Sequence, residues 1–431
     1  MVLILNWIVR MSKISIFKVD TETLGGNNME LDKILDYLDC RAKEVKKIDY
    51  EIGDIYKFLF SKCLTETIKK HCQIINKDIF GIETYKKYVD YESERLKGLW
   101  QVGYFLKYKG KKVTFHLDLR TTMTIHPALN IYVMEKDMTL ASELLGKITE
   151  EIHSLKKTMF TGTGRMFNLE RKYDFDEIIL PENIKQVIKE QVIDFFDKED
   201  LFLKHDIPFK RGLILHGNPG NGKTLLCKIL ASNLNCNFIW VTSADVAFSY
   251  DISNIYMLAR MIRPCIVLME DIDLLGFEGR ESRASREILG ELLNQMDGFH
   301  SNSGLITIGT TNNCESLDKA ISNRPGRFDI KLPFNDPDFE MRKKLIKKFT
   351  EKMEIAKDVD LEDIIKRADK LSCSGVKELI NKSLIFSCEE LKKESKQKVI
   401  LTKTSFKRAI ISMELQKKQI GFLSIPKEKA S

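Results

Sequence analysis

A glycine-rich octapeptide between an apolar strand and a helix constrains this chain more than any other feature. It satisfies the pattern G-x-x-x-x-G-K-T and consists of Gly217, Asn218, Pro219, Gly220, Asn221, Gly222, Lys223 and Thr224. The apolar run Leu213–Leu215 precedes it, and Leu225–Leu234 reads as the helix that follows. Because the motif requires this order of strand, loop and helix, the octapeptide predicts a phosphate-binding loop rather than a chance glycine-rich turn.

The residue types of the octapeptide indicate how phosphate would be bound. Glycines allow backbone N–H groups to turn inward around phosphate oxygens, and the N-terminus of the following helix favours an anion. Lys223 is expected to contact the β- and γ-phosphates of ATP, and the Thr224 hydroxyl is expected to bind Mg²⁺. Leu225 completes the predicted ATP-binding segment.

Two further apolar strands end in polar side chains that suit phosphate chemistry. Ile266–Met269 is followed by Glu270 and Asp271, and Leu305–Gly309 is followed by two threonines and Asn312. Carboxylates at the carboxyl edge of a parallel sheet can complete a Mg²⁺ shell and polarise a water, which a neighbouring amide can orient. Without the phosphate loop, the same residues would be interpreted as an acidic loop end and a turn former.

A turn further along the chain carries two arginines, Arg324 and Arg327. Guanidinium groups stabilise the charge that develops in phosphoryl transfer, including when a neighbouring subunit supplies them. The same spacing is equally compatible with a pair of surface salt bridges. The residues alone leave both alternatives open.

The alternation of short apolar strands with helical segments from Phe175 onward predicts an α/β fold, with a P-loop NTPase parallel sheet flanked by helices. From Asp336 the pattern is helical only, which predicts a C-terminal α-helical lid. Before the sheet we expect an N-terminal α+β domain, with helices between Met29 and Phe80, a hairpin turning at Lys109–Lys111, a strand at Ala128–Met134 and a helix at Thr139–Lys157.

These patterns set the expected domain boundaries. The small residues Thr161–Gly164 favour a linker. The predicted segments are an N-terminal extension (1–28), an α+β substrate or partner domain (29–157), a linker (158–172), a large ATPase subdomain (173–335), a lid (336–417) and a tail (418–431).

Composition argues against several classes of protein. The net charge is +7, but acidic and basic residues are interspersed, without the clustered basic stripe of a nucleic-acid-binding surface. The nine scattered cysteines favour free thiols in a reducing compartment, the cytoplasm. No apolar stretch has the length that spans a bilayer. The apolar start, Val2–Val9, is compatible with a targeting segment, but we favour a frayed terminus or a true start at Met11 or Met29.

Taken together, these residues resemble the AAA family of P-loop ATPases over roughly half of the chain, from Tyr173 to Ser387. The motifs agree with those of the family in their order and spacing as well as in their residue types. The matching segments are the first segment of the domain at Phe175–Ile178, Walker B at Glu270–Asp273, the helix after the second pore loop at Glu291–Gly298, sensor 1 at Asn312, the two interface arginines Arg324 and Arg327, and the lid turn Ser374–Val376.

The resemblance implies a ring, usually a hexamer, with ATP at subunit interfaces and hydrolysis driving the remodelling or threading of a protein substrate. It assigns Ile178 to the border of the adenine, Glu270 to Mg²⁺ and Asp271 to the attacking water. The Glu-Asp order and the segment Ile207–Gly212 look most like the branch of the mitochondrial Rieske-protein translocase and similar soluble bacterial chaperone-like ATPases. Because Asp is one methylene shorter than Glu, we expect slower hydrolysis rather than weaker binding.

Other positions depart from the family. Phe248 and Tyr250 lie about where the family has its substrate-gripping pore aromatic, in a shortened segment, and core packing is an equal alternative for them. The translocase's membrane helix has no counterpart, and no HExxH motif supports a membrane protease. The alternative function is a slow, nucleotide-gated assembly or binding module that acts on nucleic acid or a membrane surface.

Overall fold

A computed structural model of the chain describes residues 14–18, 34, 36–39, 44–51, 56–79, 101–118, 128–275, 283–297, 302–312, 327–394 and 399–422. The chain divides into two compact units. The first comprises Met1–Asn168 and Asn235–Val267, and the second comprises Leu169–Leu234 and Leu268–Ser431.

Strands and helices are numbered here along the chain. The strands are β1 (Ile14–Lys18), β2 (Val45–Glu51), β3 (Gln73–Ile79), β4 (Gln101–Tyr108), β5 (Lys111–Asp118), β6 (Ala128–Met134), β7 (Met159–Thr161), β8 (Met166–Phe167), β9 (Lys210–His216), β10 (Asn237–Val241), β11 (Cys265–Met269), β12 (Leu305–Thr311), β13 (Ile330–Pro333), β14 (Glu354–Ile355) and β15 (Ile400–Leu401). The α-helices are α1 (Lys57–His71), α2 (Met138–Ser154), α3 (Glu182–Ile188), α4 (Glu199–Lys204), α5 (Lys223–Asn233), α6 (Ser249–Met261), α7 (Arg283–Asp297), α8 (Phe339–Thr350), α9 (Leu361–Arg367), α10 (Cys373–Glu394) and α11 (Lys403–Phe422).

The first unit contains an antiparallel sheet in the order β1-β2-β6-β5-β4-β3. The predicted hairpin is present, with Tyr108 opposite Lys111 and a two-residue turn at Lys109 and Gly110. Both turn residues have positive φ, 48° and 77°, which matches the right-handed twist of the paired strands. Helices α1 and α2 pack on each other and bury apolar side chains such as Leu64.

Two differences from the sequence-based predictions lie in this unit. The segment 29–80 was expected to be helical, but it contains strands β2 and β3 on either side of α1. The segment Thr161–Gly164, expected to be a linker, is the turn of a β7–β8 hairpin, in which Thr161 N donates to Arg165 O at 2.8 Å. Strand β7 also pairs in parallel with β10, so these residues belong to a sheet.

That second sheet has seven strands in the order β13-β9-β12-β11-β10-β7-β8. Every residue of β11 and of β12 is buried, as expected for parallel strands covered on both faces. In the second unit, β12 and β13 both pair in parallel with β9. The predicted α/β P-loop fold, with strands near Leu213, Ile266 and Leu305, is therefore confirmed.

The residues after Asp336 form a helical bundle with its own apolar core. Asp338 caps α8 by accepting from Met341 N at 2.8 Å, and Asp360 caps α9 by accepting from Glu362 N at 3.0 Å. A short β14–β15 ladder is the one addition to the helical pattern in the described part of this segment. The buried core includes Leu345, Ile346, Ile364, Val376, Leu379, Leu401 and Phe406.

Close backbone packing beneath the phosphate loop yields a first prediction. A methyl group on Gly212 of β9 would lie 1.8 Å from the carbonyl oxygen of Arg327. Because backbone would have to move, we expect Gly212→Ala to lower the free energy of unfolding by at least about 2 kcal/mol in urea titrations of the full chain. Gly146→Ala is the control, since a methyl group there meets nothing within 4 Å. In the middle of α2 it should raise stability by about 0.5–1 kcal/mol, and equal stabilities of the two variants would contradict the packing.

Candidate nucleotide-binding and hydrolysis site

The octapeptide forms a loop between β9 and α5 whose glycines are required by backbone geometry. Gly217, Gly220 and Gly222 have φ of 139°, 84° and 98°, a region that L side chains rarely adopt. A methyl group on Gly217 would also lie 2.2 Å from the carbonyl oxygen of Phe334. The loop leads directly into α5, which begins at Lys223. The free N–H groups at this helix start provide the anion-binding end of a helix dipole.

Lys223 lies within the loop and links it to a neighbouring strand end. Its Nζ donates to Gly217 O at 2.5 Å, to Asn218 O at 3.1 Å and to Asn312 Oδ1 at 2.9 Å. Burial lowers the pKa of Lys223, while the charges of Asp271 and Asp273 oppose that shift. A partly desolvated ammonium group at the mouth of the loop is well suited to a phosphate anion.

Asp271 and Asn312 complete a hydrogen-bonded chain with Lys223. Asn312 Nδ2 donates to Asp271 Oδ1 at 3.2 Å, so a single amide side chain bonds both the lysine and the carboxylate. Burial raises the pKa of Asp271, the charges of Asp273 and Glu270 raise it further, and Lys223 lowers it. The residues predicted from the ends of three separate strands therefore lie together at one edge of the sheet.

The segment between β8 and β9 also reaches the loop. A methyl group on Gly222 would lie 3.3 Å from Ile178 Cδ1, so Ile178 lies against the phosphate loop, and its role at the adenine stays a prediction. The preceding turn is fixed by Arg171, whose Nη1 donates to Glu177 Oε1 at 2.9 Å. This pair, with the Asp174 N–H, lowers the pKa of Glu177 to about 2. The Lys348 ammonium on α8 of the lid donates to the backbone carbonyl of Asp176.

Two asparagines of the loop have partners that the sequence analysis did not predict. Asn221 is 4% exposed, and its Nδ2 donates to Asp336 Oδ1 at 2.8 Å and to Phe334 O at 3.2 Å, while its Oδ1 accepts from Cys373 N at 3.0 Å. The exposed Asn218 donates to Asp336 Oδ2 at 3.0 Å. The phosphate loop is therefore tied to the first residue of the lid and to the start of α10. No local signal marks these partners, which lie 113 to 152 positions away along the chain.

The two predicted arginines have different outcomes. Arg324 lies outside the described residues. Arg327 is 6% exposed and makes a bidentate pair with Asp297, in which Nε donates to Oδ1 at 3.0 Å and Nη2 donates to Oδ2 at 2.6 Å. Within this chain, Asp297 at the end of α7 therefore holds the guanidinium.

The protein groups fit ATP and Mg²⁺. Thr224 is exposed at the second position of α5, and Glu270 is half-buried directly after β11. Among the described residues no cluster of three or more His, Cys, Asp or Glu side chains could hold a metal by itself. This pattern suits Mg²⁺ bound to nucleotide, which typically takes one or two protein ligands and completes its shell with phosphate and water.

These parts define the class of the site. A glycine loop after a parallel strand, a lysine at the helix start, and a carboxylate and an amide at the ends of two further strands are the elements of a P-loop nucleoside triphosphatase.

Comparison with known proteins gives the family of this domain. Residues 213–336 match the family described as "ATPase family associated with various cellular activities (AAA)". The chain therefore contains an AAA ATPase domain, and the predicted resemblance to this family is confirmed. The branch predicted from the Glu-Asp order of Glu270 and Asp271 stays a prediction.

Curated relatives match about half of the chain. The "26S proteasome regulatory subunit 4 homolog B" of Arabidopsis thaliana is 32% identical over 246 residues, 54% of this chain and 54% of the relative. The "26S proteasome regulatory subunit 4 homolog" of Dictyostelium discoideum is 32% identical, covering 48% of this chain and 51% of the relative. The "ATP-dependent zinc metalloprotease FtsH 3" of Phytoplasma mali (strain AT) is 29% identical, covering 56% and 40%. The chain thus spans about half the length, or less, of these relatives.

The ties between loop and lid generate a second prediction. Asn221→Ala removes three hydrogen bonds and leaves Cys373 N without that partner, so we expect a loss of about 1–3 kcal/mol of stability. Asn218→Ala removes one exposed bond on the same loop and should change stability by less than about 0.5 kcal/mol. Thermal unfolding of both variants of the full chain measures the difference, and losses of the same size would show that burial of Asn221 is unimportant.

Proposed function

We propose that this protein hydrolyses ATP at the site formed by Lys223, Asn312 and Asp271. The supporting observation is the hydrogen-bonded chain of these three side chains. Lys223 would bind the β- and γ-phosphates, and Asp271, oriented by Asn312, would accept the proton of the attacking water. Thr224 and Glu270 would hold Mg²⁺, which supplies charge stabilisation to the phosphates. The loop N–H groups at Gly217–Gly222 would surround the phosphate oxygens.

We further propose that the ATPase works as a ring of identical subunits, with six as the expected number, and acts on a protein substrate. The names of two relatives, a proteasome regulatory subunit and a metalloprotease, support a protein substrate. Arg324 and Arg327 would then serve a neighbouring subunit's nucleotide, although Arg327 would first have to leave Asp297. Cytoplasmic placement is supported by the described cysteines, all of which are free thiols.

A pair of exposed aromatic side chains supports substrate gripping. Phe248 and Tyr250 are each 58% exposed, and their rings stack with centroids 5.3 Å apart and an interplanar angle of 13°. The backbone N–H groups of Ala247 and Phe248 both donate to Asp251 Oδ2 at 2.9 Å, which fixes the start of α6. Exposure of this size, among the residues that the structure describes, does not favour core packing, the alternative for these rings. An exposed aromatic pair at a hydrogen-bonded helix start provides apolar and stacking contacts to an extended polypeptide.

Within the described part of the chain, none of the helices combines the length and the apolar composition that crossing a bilayer requires.

The electrostatics of Asp271 give a third prediction, in which function and stability move in opposite directions. Asp271→Asn should abolish turnover, because no base remains, while ATP binding persists through Lys223. Since folding raises the pKa of Asp271, its carboxylate form destabilises the fold at pH values above that raised pKa. The Asn variant should therefore have a higher Tm at neutral pH, and the gain should vanish below the unfolded-state pKa of about 3.9.

The measurements are phosphate release, nucleotide titration and thermal unfolding at neutral and acidic pH. Lys223→Ala is the matched control, since it should lose ATP binding as well as turnover. Undiminished phosphate release from Asp271→Asn would contradict the proposed role of Asp271.

The aromatic pair gives a fourth prediction. Replacing both Phe248 and Tyr250 by Ala should leave basal ATP turnover within about twofold, because both rings are 58% exposed and neither residue belongs to the phosphate loop, and should abolish ATP-dependent unfolding of a tagged substrate protein. Phe248→Tyr with Tyr250→Phe keeps two rings and is the control that should retain unfolding. Full unfolding by the double Ala variant would contradict the role of the two rings in gripping substrate, whereas a parent protein that unfolds no substrate would favour the slow nucleotide-gated module.

A further inference from the structure

Asp271 has an unusual backbone conformation for a residue at a reaction centre. Its φ is 46°, in the left-handed region, which for a residue with a Cβ carries a cost of about 1–2 kcal/mol. Such a conformation persists only where surrounding bonds determine it. Leu274 N donates to Asp271 O at 2.8 Å, which accounts for the carbonyl group of Asp271.

The N–H group of Asp271 has a side-chain partner on the adjacent strand. It donates to Thr310 Oγ1 at 3.0 Å. Thr310 is 2% exposed and lies on β12, where it pairs with Leu215 of β9. Since β9 leads into the phosphate loop, the Thr310 hydroxyl is fixed in position relative to that loop by the parallel ladder.

Close packing beside Thr310 also favours the hydrogen bond between Asp271 and Thr310. The preceding residue, Gly309, has no side chain, and a methyl group on it would lie 3.0 Å from Ile272 Cδ1. Ile272 directly follows Asp271 and is fully buried. The absence of a side chain at Gly309 therefore allows the turn after β11 to approach β12 closely enough for the Asp271–Thr310 bond.

We propose that Thr310 is a positioning residue for hydrolysis, whose hydroxyl fixes the Asp271 backbone and thereby the direction of its carboxylate. This inference rests on the proposed role of Asp271 as the base. An aspartate has only two side-chain torsions, so its carboxylate position follows its backbone closely, more than that of a glutamate would. Thr310 holds the backbone N–H group of Asp271, and Asn312, two residues further along, holds its carboxylate.

The two residues that hold Asp271, Thr310 and Asn312, differ in their other partners. Asn312 also bonds Lys223, so its geometry depends on the group that binds nucleotide. The bond between Asp271 and Thr310 includes no group expected to contact phosphate. Loss of the Thr310 hydroxyl should consequently affect the catalytic step and leave ATP binding intact, whereas a purely structural role would lower stability without a selective effect on kcat.

The test compares Thr310→Val, Thr310→Ser and Thr307→Val in the full chain. Valine keeps the shape of threonine and removes the acceptor, and serine restores the hydroxyl. Thr307→Val makes the same change at a buried threonine of the same strand, 4% exposed, three residues before Thr310. The readouts are kcat and KM for ATP, the Kd for ATP, and thermal stability.

We expect Thr310→Val to lower kcat roughly tenfold, equivalent to about 1.4 kcal/mol, with KM and Kd within about twofold of the parent. Thr310→Ser should recover most of kcat, and Thr307→Val should keep it even if its Tm falls. Unchanged kcat in folded Thr310→Val, or no rescue by serine, overturns the proposal. Asp271→Asn separates the two claims. If that variant still hydrolyses ATP, the proposed role of Asp271 fails. If Asp271→Asn has no turnover and Thr310→Val keeps the kcat of the parent, only the role of Thr310 is refuted.

Discussion

The arrangement of the site depends on the parallel pairing of β9 with β12. Their register places Thr311 opposite His216, so both strands end at the same level. The phosphate loop begins directly after His216, and Asn312 directly follows Thr311. Gly217 N donates to Thr311 O at 3.3 Å and continues the ladder to the first residue of the loop. Because a parallel ladder aligns carboxyl ends, residues almost 90 positions apart, Lys223 and Asn312, reach hydrogen-bond distance.

The site combines desolvated charges that the fold keeps close together. Burial lowers the pKa of Lys223 and raises that of Asp271, so the environment disfavours the charged form of each. Their mutual attraction and the Asn312 amide offset part of this unfavourable desolvation. A bound triphosphate with its cation would bring further charges of both signs into the same space. The fold therefore holds a polar arrangement that is better suited to a ligand than to stability alone, as is expected where function opposes stability.

Local patterns in the sequence predicted the parts of the site, and long-range contacts completed it. The phosphate loop was predictable because its glycines, lysine and flanking strand are contiguous, and the positive φ values of Gly220 and Gly222 explain the need for glycine. Strands β2 and β3 were missed because charged and polar residues interrupt their apolar alternation. The partners of Asn221 and the bond from Asp271 to Thr310 could not be predicted, because each joins segments whose distance depends on the folded sheet.

The pair formed by Arg327 and Asp297 sets a condition on any assembly of this chain. Arg327 is nearly buried, while 40% of the Asp297 side chain is exposed. The cost of breaking this ion pair therefore lies between that of an exposed pair and that of a buried pair. Breaking an exposed pair costs less than about 1 kcal/mol, and breaking a buried one costs about 3–5 kcal/mol. For Arg327 to reach a neighbour's nucleotide, the γ-phosphate would have to replace the Asp297 carboxylate as its partner. The contact would then form readily only against a subunit that holds the triphosphate, since a diphosphate offers less charge at that position. The same aspartate that keeps Arg327 in place within one chain would thus make its engagement depend on the neighbour's nucleotide.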